Sequence, residues 1–305
     1  MAITPAMIRE LREISGAGMT DCKKALDETG GDVKKAVVLL REKGLATAAK
    51  KAGRIAAEGL VLAFISDDGR SGIVIEVNSE TDFVAKNPEY RSFVEALANL
   101  ALSNNVNSVD ELNLLKFEGD ETVADAVKSK IAKFGENITL RRFEKLSLIE
   151  EGFLQKYIHG EGKIAVLVQV KSNVVNDAML EAAKNMCMQI TVMRPLFISK
   201  DDVDSAFLEQ EKDILTKQAL NEGKDAAVVE KMIAGRMNKR LKEICLLDQE
   251  YIKDNELTCA KYLDTVNKEN NADAVMTNFV VFEKGEGIEK KEDNFADEVN
   301  KAIHG

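Results

Sequence analysis

The sequence predicts an α+β protein: two related β-hairpin, helix, strand units, preceded by a three-helix module and interrupted by an antiparallel helical hairpin. Three observations carry this expectation. EGLVLAFISDDGRSGIVIEV (58–77) aligns without a gap on EGFLQKYIHGEGKIAVLVQV (151–170), and an internal repeat of this kind defines an architecture. The first 45 residues show helical periodicity broken twice by glycines. Residues 201–246 hold two amphipathic stretches around one turn signal.

In the N-terminal module, Met7, Ile8, Leu11 and Ile14 share one helical face, and Cys22, Ala25 and Leu26 the next. Val33, Ala36, Val37 and Leu40 mark the third, all at three- and four-residue spacing. The breaks, Ser15-Gly16-Ala17-Gly18 and Thr29-Gly30-Gly31-Asp32, each end in a helix cap. The Ala/Lys-rich run LATAAKKAGRIAAEG then reads as a linker.

In the repeat, Glu-Gly opens both copies, Phe64-Ile65 or Tyr157-Ile158 closes the first strand, and Gly69 or Gly162 sits in the turn. Arg70 or Lys163 leads into an aliphatic second strand, so each copy reads as a hairpin. An apolar-periodic helix follows, through Tyr90, Phe93, Val94 and Leu97 in one copy and Met179, Ala182, Met186 and Ile190 in the other. A third strand is expected to end at Phe143-Glu144-Lys145 and at Phe282-Glu283-Lys284. Val203, Phe207 and Ile214, then Val229, Met232, Ile233, Met237, Leu241 and Ile244, make the inserted helical hairpin, punctuated at 221–225. The expected division is therefore a module at 1–45, a linker at 46–57 and one core unit at 58–150. The other core unit is split into 151–200 and 247–284 by the hairpin at 201–246, and a C-terminal module takes 285–305. The last segment has a single apolar stripe, Phe295, Val299, Ala302 and Ile303.

Composition narrows the function. Hydrophobic residues at 45% supply a core, but aromatics at 5% and no Trp make it aliphatic. A net charge of −10 and a pI of about 5.0 argue against a nucleic-acid partner and against anchoring on an anionic membrane. No apolar run approaches a membrane span and the N-terminus has no apolar signal core, so a cytoplasmic protein is expected. Cys22, Cys187, Cys245 and Cys259 are scattered, without C-x-x-C spacing or a neighbouring His. They are expected to be packed thiols, with no metal and no disulfide framework.

Catalytic signatures are missing. There is no G-x-S-x-G, H-E-x-x-H, P-loop or G-x-G-x-x-G, and the only histidines are His159 and His304. Gly-Glu-Gly at 160–162 and 285–287 lies in a strand turn and a C-terminal linker, the wrong settings for a phosphate loop. A binding protein without a cofactor is expected rather than an enzyme. The unusual stretch is Ser79-Glu80-Thr81-Asp82-Phe83-Val84, where a strand exits toward a helix that opens at Asn87-Pro88. The repeat sets Val174, Val175 and Asn176 opposite Thr81, Asp82 and Phe83, so the scaffold does not itself require an Asp-Phe pair. Either Phe83 packs inward beside a turn-capping Asp82, or it is an exposed aromatic anchor of an interface.

SGAGMTDCKKAL (15–26), NSETDFVAKN (78–87), EKMIAGRM (230–237) and FEKGEGIEK (282–290) resemble, in order and over essentially the whole chain, the signature stretches of the bacterial elongation factor Ts family. The resemblance implies a nucleotide exchange factor for the GTPase elongation factor Tu, bound in its GDP and nucleotide-free states without direct contact to the nucleotide. It implies an N-terminal module similar to ubiquitin-associated domains and a protruding helical hairpin. It also implies that Thr81, Asp82, Phe83 and Val84 disturb the partner's Mg²⁺ site, and that His159 and Gly160 touch its GTPase domain. Gly16, Ala17, Gly18 and Met19, with Phe295 and Val299 in the C-terminal helix, are carried over as further contacts. The hairpin at 201–246 matches least specifically. The competing reading is an adaptor that grips another protein through the N-terminal module alone, which leaves two-thirds of the chain without a task.

Overall fold

A computed structural model describes residues 3–222 and 226–289. The chain divides into two compact units, one made of residues up to Val61, 75–143 and from Glu283 onward, the other of 62–74 and 144–282. The first unit begins with α1 (Pro5–Ser15), α2 (Met19–Glu28) and α3 (Val33–Lys51). Thr4 caps α1 by accepting the Met7 N–H at 3.3 Å, and Asp32 caps α3 by accepting the Lys35 N–H at 3.0 Å. Leu11, Cys22, Ala25, Leu26 and Ala36 form the buried centre, with Met7, Ile8, Val33, Val37 and Leu40 packed on it. Ile14 leaves this cluster, 60% exposed. The expected linker is helical in its first half: alanines are the strongest helix formers, and Lys50 and Lys51 suit the negative end of α3.

The chain then forms β1 (Glu58–Ile65), β2 (Ser71–Ser79), the single turn α4 (Asp82–Ala85), α5 (Pro88–Ser103) and α6 (Val109–Leu114). A small ribbon, β3 (Lys116–Glu118) with β4 (Glu121–Thr122), leads to α7 (Val123–Phe134) and β5 (Thr139–Ser147). The second copy gives β6 (Gly152–His159), β7 (Ile164–Lys171) and α8 (Asp177–Met193). After it come α9 (Ser205–Asn221), α10 (Ala226–Ile244), the ribbon β8 (Glu250–Tyr251) with β9 (Asp254–Thr258), α11 (Cys259–Asn270) and β10 (Val275–Glu283).

Both repeat segments are hairpins, and the two three-stranded sheets have matching orders, β1-β2-β5 and β6-β7-β10, with the second hairpin strand in the middle. The Glu-Gly that opens each copy has a packing cause. Gly59 has φ 119° and Gly152 φ 155°, and a Cβ there would stand 2.2 Å from the Val77 carbonyl oxygen and 2.1 Å from that of Val170. The two glycines and the two valines are themselves repeat partners. Gly152→Ala is expected to lower stability by about 1–3 kcal/mol, the usual strain of a side chain in such a backbone region; urea denaturation measures it. One third strand differs from expectation: β10 ends at Glu283, within Phe282-Glu283-Lys284, but β5 continues past Lys145 to Ser147.

In the second unit, α8 lays Met179, Ala183, Met186 and Ile190 on β6 and β7, over Phe153, Val166, Val168 and Val170. Helices α9 and α10 pair antiparallel. Phe207 and Leu208, early in α9, meet Leu241 and Ile244, late in α10, and Leu215 and Ala219 meet Val229 and Ile233. Buried Gln189 ties α8 to the segment after α10, donating to Gln249 Oε1 at 3.2 Å and accepting the Ile252 N–H at 2.9 Å. Cys22, Cys187, Cys245 and Cys259 are buried free thiols, and burial pushes Cys259 up to about 12.

Candidate functional site

The residues after β2 form a helical turn rather than a loop. Thr81 caps α4, its hydroxyl accepting the Val84 N–H at 3.5 Å. Below, Val84 and Ala85 are buried at 7% and 5% exposure, so the turn has an apolar underside that fixes which way it faces. Phe83 points the other way, 81% exposed. Asn87 ends the turn and caps α5 by accepting the Glu89 N–H at 2.9 Å. Of the two readings of Asp82-Phe83 open to the sequence, the inward-packed phenylalanine is excluded by this exposure. The turn-capping task belongs to Thr81, not to Asp82.

Asp82 instead accepts from Lys86 at 2.6 Å, one turn on. That hydrogen bond, against an opposing effect of burial, holds the Asp82 carboxyl below the usual aspartate range. At neutral pH the tip therefore presents a carboxylate beside an uncovered aromatic ring. The second copy has no counterpart of α4: Asn176 caps α8 directly, accepting the Met179 N–H at 2.9 Å.

Two anchors missed by the sequence reading hold the turn. Thr81 donates its N–H to Glu136 Oε2 at 2.9 Å and its hydroxyl to Glu136 Oε1 at 2.6 Å. Ser79, fully buried, donates its hydroxyl to the Thr81 carbonyl at 2.9 Å. No periodicity or motif links residue 136 to residue 81, so local pattern reading has no means of finding the pair.

The other sequence-predicted residues lie on separate elements. His159 ends β6, exposed, with its Nδ1 3.1 Å from the Tyr157 hydroxyl. Gly160 follows at φ 60° and starts the turn to β7. Gly16 closes α1 at φ 64°, donating its N–H to the Arg12 carbonyl at 2.8 Å, and Gly18 precedes α2. Ala17 packs on the three-helix core and Met19 is 55% exposed. Gly16, Ala17 and Gly18 line a groove whose far wall is α3 and α7, including Lys133. Phe295 and Val299 lie outside the described residues.

FEKGEG proves to be a clasp within the first unit. Glu76, fully buried on β2, accepts from Arg141 Nη1 at 3.0 Å, Arg142 Nε at 2.6 Å, Asn78 Nδ2 at 3.0 Å and the Gly285 N–H at 2.8 Å. Burial alone would push its pKa up, but the bonds from Gly285, Asn78 and Arg142 win and hold it below the ordinary glutamate value. Gly285, at φ 69°, must be glycine, since a Cβ would stand 2.3 Å from the Ala57 carbonyl oxygen. Glu286 accepts from Arg142 at 3.1 Å and completes the ring of charges.

Among the described residues no group of His, Cys, Asp or Glu is placed to hold a metal ion, and no helix is long and apolar enough to cross a membrane. What the geometry offers is a rigidly mounted, exposed aromatic and carboxylate. Residues 80–286 match the family model described as Elongation factor TS. The Elongation factor Ts of Clostridium perfringens is 52% identical over 299 residues, 98% of either chain. That of Clostridium botulinum is 51% identical over 301 residues and that of Clostridium kluyveri 50% over 305, each covering 99% of both chains. The class is thereby defined: a translation elongation factor of protein biosynthesis, with the role of a nucleotide exchange factor. The chain belongs to the elongation factor Ts family.

Proposed function

We propose that this chain binds elongation factor Tu, in GDP-bound and nucleotide-free states, and promotes GDP release through Thr81, Asp82, Phe83 and Val84. The observation that carries the reading is the 81% exposure of Phe83 on a capped and anchored turn. A phenylalanine left in water forgoes about 2–3 kcal/mol of burial, which a partner that covers it recovers. The exchange factor has no need to touch the nucleotide. GDP is held through its phosphates and Mg²⁺, so pushing aside the segment that positions the ion weakens it.

The energy required is large. A ten-thousand-fold loss of GDP affinity takes about 5.5 kcal/mol of differential binding, and one aromatic hot spot supplies about 2–4. Phe83 therefore acts with other contacts, for which His159, Gly160, Gly16, Ala17, Gly18, Met19, Phe295 and Val299 are the candidates. In this reading the three-helix module, the two core units and the C-terminal module serve one extended interface in the cytoplasm, without cofactor, nucleic acid or membrane.

Linkage gives the test. A factor that weakens GDP must be weakened by GDP to the same degree. Titration calorimetry with elongation factor Tu is expected to show tight binding to the nucleotide-free form and progressively weaker binding as GDP is added. Equal affinity at all GDP concentrations, or no binding, overturns the proposal. His159→Ala is expected to weaken binding or exchange while stability stays within about 0.5 kcal/mol, the range of surface changes. A large stability loss with unchanged exchange would instead make His159 structural.

A further inference from the structure

Two turns of the first unit hold each other by exchanging carboxylates. Glu136 accepts from the N–H and hydroxyl of Thr81, at 2.9 and 2.6 Å. One residue away on each side the direction reverses: Glu80 accepts the Asn137 N–H at 2.6 Å. Segments 80–81 and 136–137 are thus joined by three hydrogen bonds to charged groups, the strong kind. Asn137, 5% exposed, also donates to the Arg54 carbonyl at 2.8 Å, and Arg54 reaches the second Glu80 oxygen at 3.5 Å. Gly135, in the left-handed C-cap of α7 at φ 73°, turns the chain so that Glu136 faces Thr81.

The second unit shows what the scaffold alone requires. At the corresponding turn Asn173 and Asp273 exchange side chain for N–H, at 3.1 and 2.8 Å, and Ser172 donates to the Val174 carbonyl at 2.7 Å just as Ser79 does to that of Thr81. A tie between the strand exit and the start of the third strand is therefore common to both copies. What the first copy adds is the Glu136 grip on Thr81, for which Val174 has no hydroxyl. The addition falls on the residue that caps α4, two places before Phe83. All the polar groups of Thr81 are then engaged, since its hydroxyl also accepts from Val84 and its carbonyl from Ser79.

Resting on the reading of Phe83 above, we propose that Glu136 is a positioning residue for nucleotide exchange: it fixes Thr81 so that α4 presents Phe83 already oriented. An anchor that must be ordered at the moment of binding gives up part of its affinity to conformational entropy, and a preorganised one does not.

The experiment uses Glu136→Gln, Phe83→Ala and the double variant of the full chain. It has two readouts: amide hydrogen exchange at Thr81 without partner, and release of labelled GDP from elongation factor Tu. Glu136→Gln is expected to speed exchange of the Thr81 amide and to slow GDP release, each by about tenfold, the scale of one hydrogen bond to a charged group. In the Phe83→Ala background it is expected to add nothing, because the residue it positions is gone. A Thr81 amide as protected as in the parent overturns the proposal. So does a loss of GDP release that is equal with and without Phe83, the mark of a merely structural role. A silent Phe83→Ala overturns the reading of Phe83 itself, and the partner-free amide measurement keeps that failure separate from failure of the latch.

Discussion

Phe83→Ala is expected to fold with the stability of the parent protein and to lose most of its exchange activity. The side chain is 81% exposed, so its removal leaves no cavity, and the free protein should change by no more than about 0.5 kcal/mol. A core phenylalanine would cost about 3–5 kcal/mol, so chemical denaturation separates the cases cleanly. In the proposed complex the same ring would be a buried anchor. Losing about 2–4 kcal/mol there corresponds to a rate about 30- to 700-fold lower. Asp82→Ala should act more mildly, since its carboxylate is shared with Lys86. The two changes together should fall short of their sum if both act on one segment of the partner.

The largest loss of stability is expected from Glu76→Ala. The carboxylate is fully buried and receives bonds from Arg141, Arg142, Asn78 and Gly285. Its removal leaves two guanidinium groups facing a void, and about 3 kcal/mol is the expected cost, the lower end for a broken buried pair because both arginines reach solvent. The pH dependence has a definite sign. Because the folded Glu76 sits below the ordinary glutamate value, its contribution is complete above that value, about 4.3, and is lost as pH falls through the lower folded one. Glu76→Gln should therefore flatten the acid limb of stability against pH. An unchanged limb in urea titrations between neutral and acidic pH would contradict the clasp.

Much of this architecture is legible in the sequence because it rests on local patterns. The ungapped repeat of 58–77 on 151–170 identifies two hairpins, and α8, α9 and α10 carry apolar periodicity that survives without tertiary context. Gly59 and Gly152 are visible as letters, but the carbonyl that excludes a side chain from them is visible only in the folded hairpin. Helix α7 goes unread since its buried positions, Val123, Ala126 and Ile131, are too few and too small to mark a face. The ribbons β3–β4 and β8–β9 and the turn α4 are shorter than any window over which periodicity accumulates.

At the candidate site the sequence singles out Asp82-Phe83 because the repeat offers a copy without it. It does not reveal whether the ring faces in or out. That depends on Val84 and Ala85 taking the inward side of α4 and on Glu136 holding Thr81 from far along the chain. Glu76 reads as one polar residue in an apolar strand, and its partners at 141, 142 and 285 are beyond any local pattern.

The central claim is that an exposed ring on an anchored turn drives nucleotide release. Stopped-flow release of labelled GDP from elongation factor Tu, with no factor, with the parent protein and with Phe83→Ala, tests it most directly. Fast release is expected with the parent and release about 30- to 700-fold slower with Phe83→Ala, from proteins that unfold at the same denaturant concentration. Release by Phe83→Ala as fast as by the parent, or no acceleration by the parent at all, would contradict it.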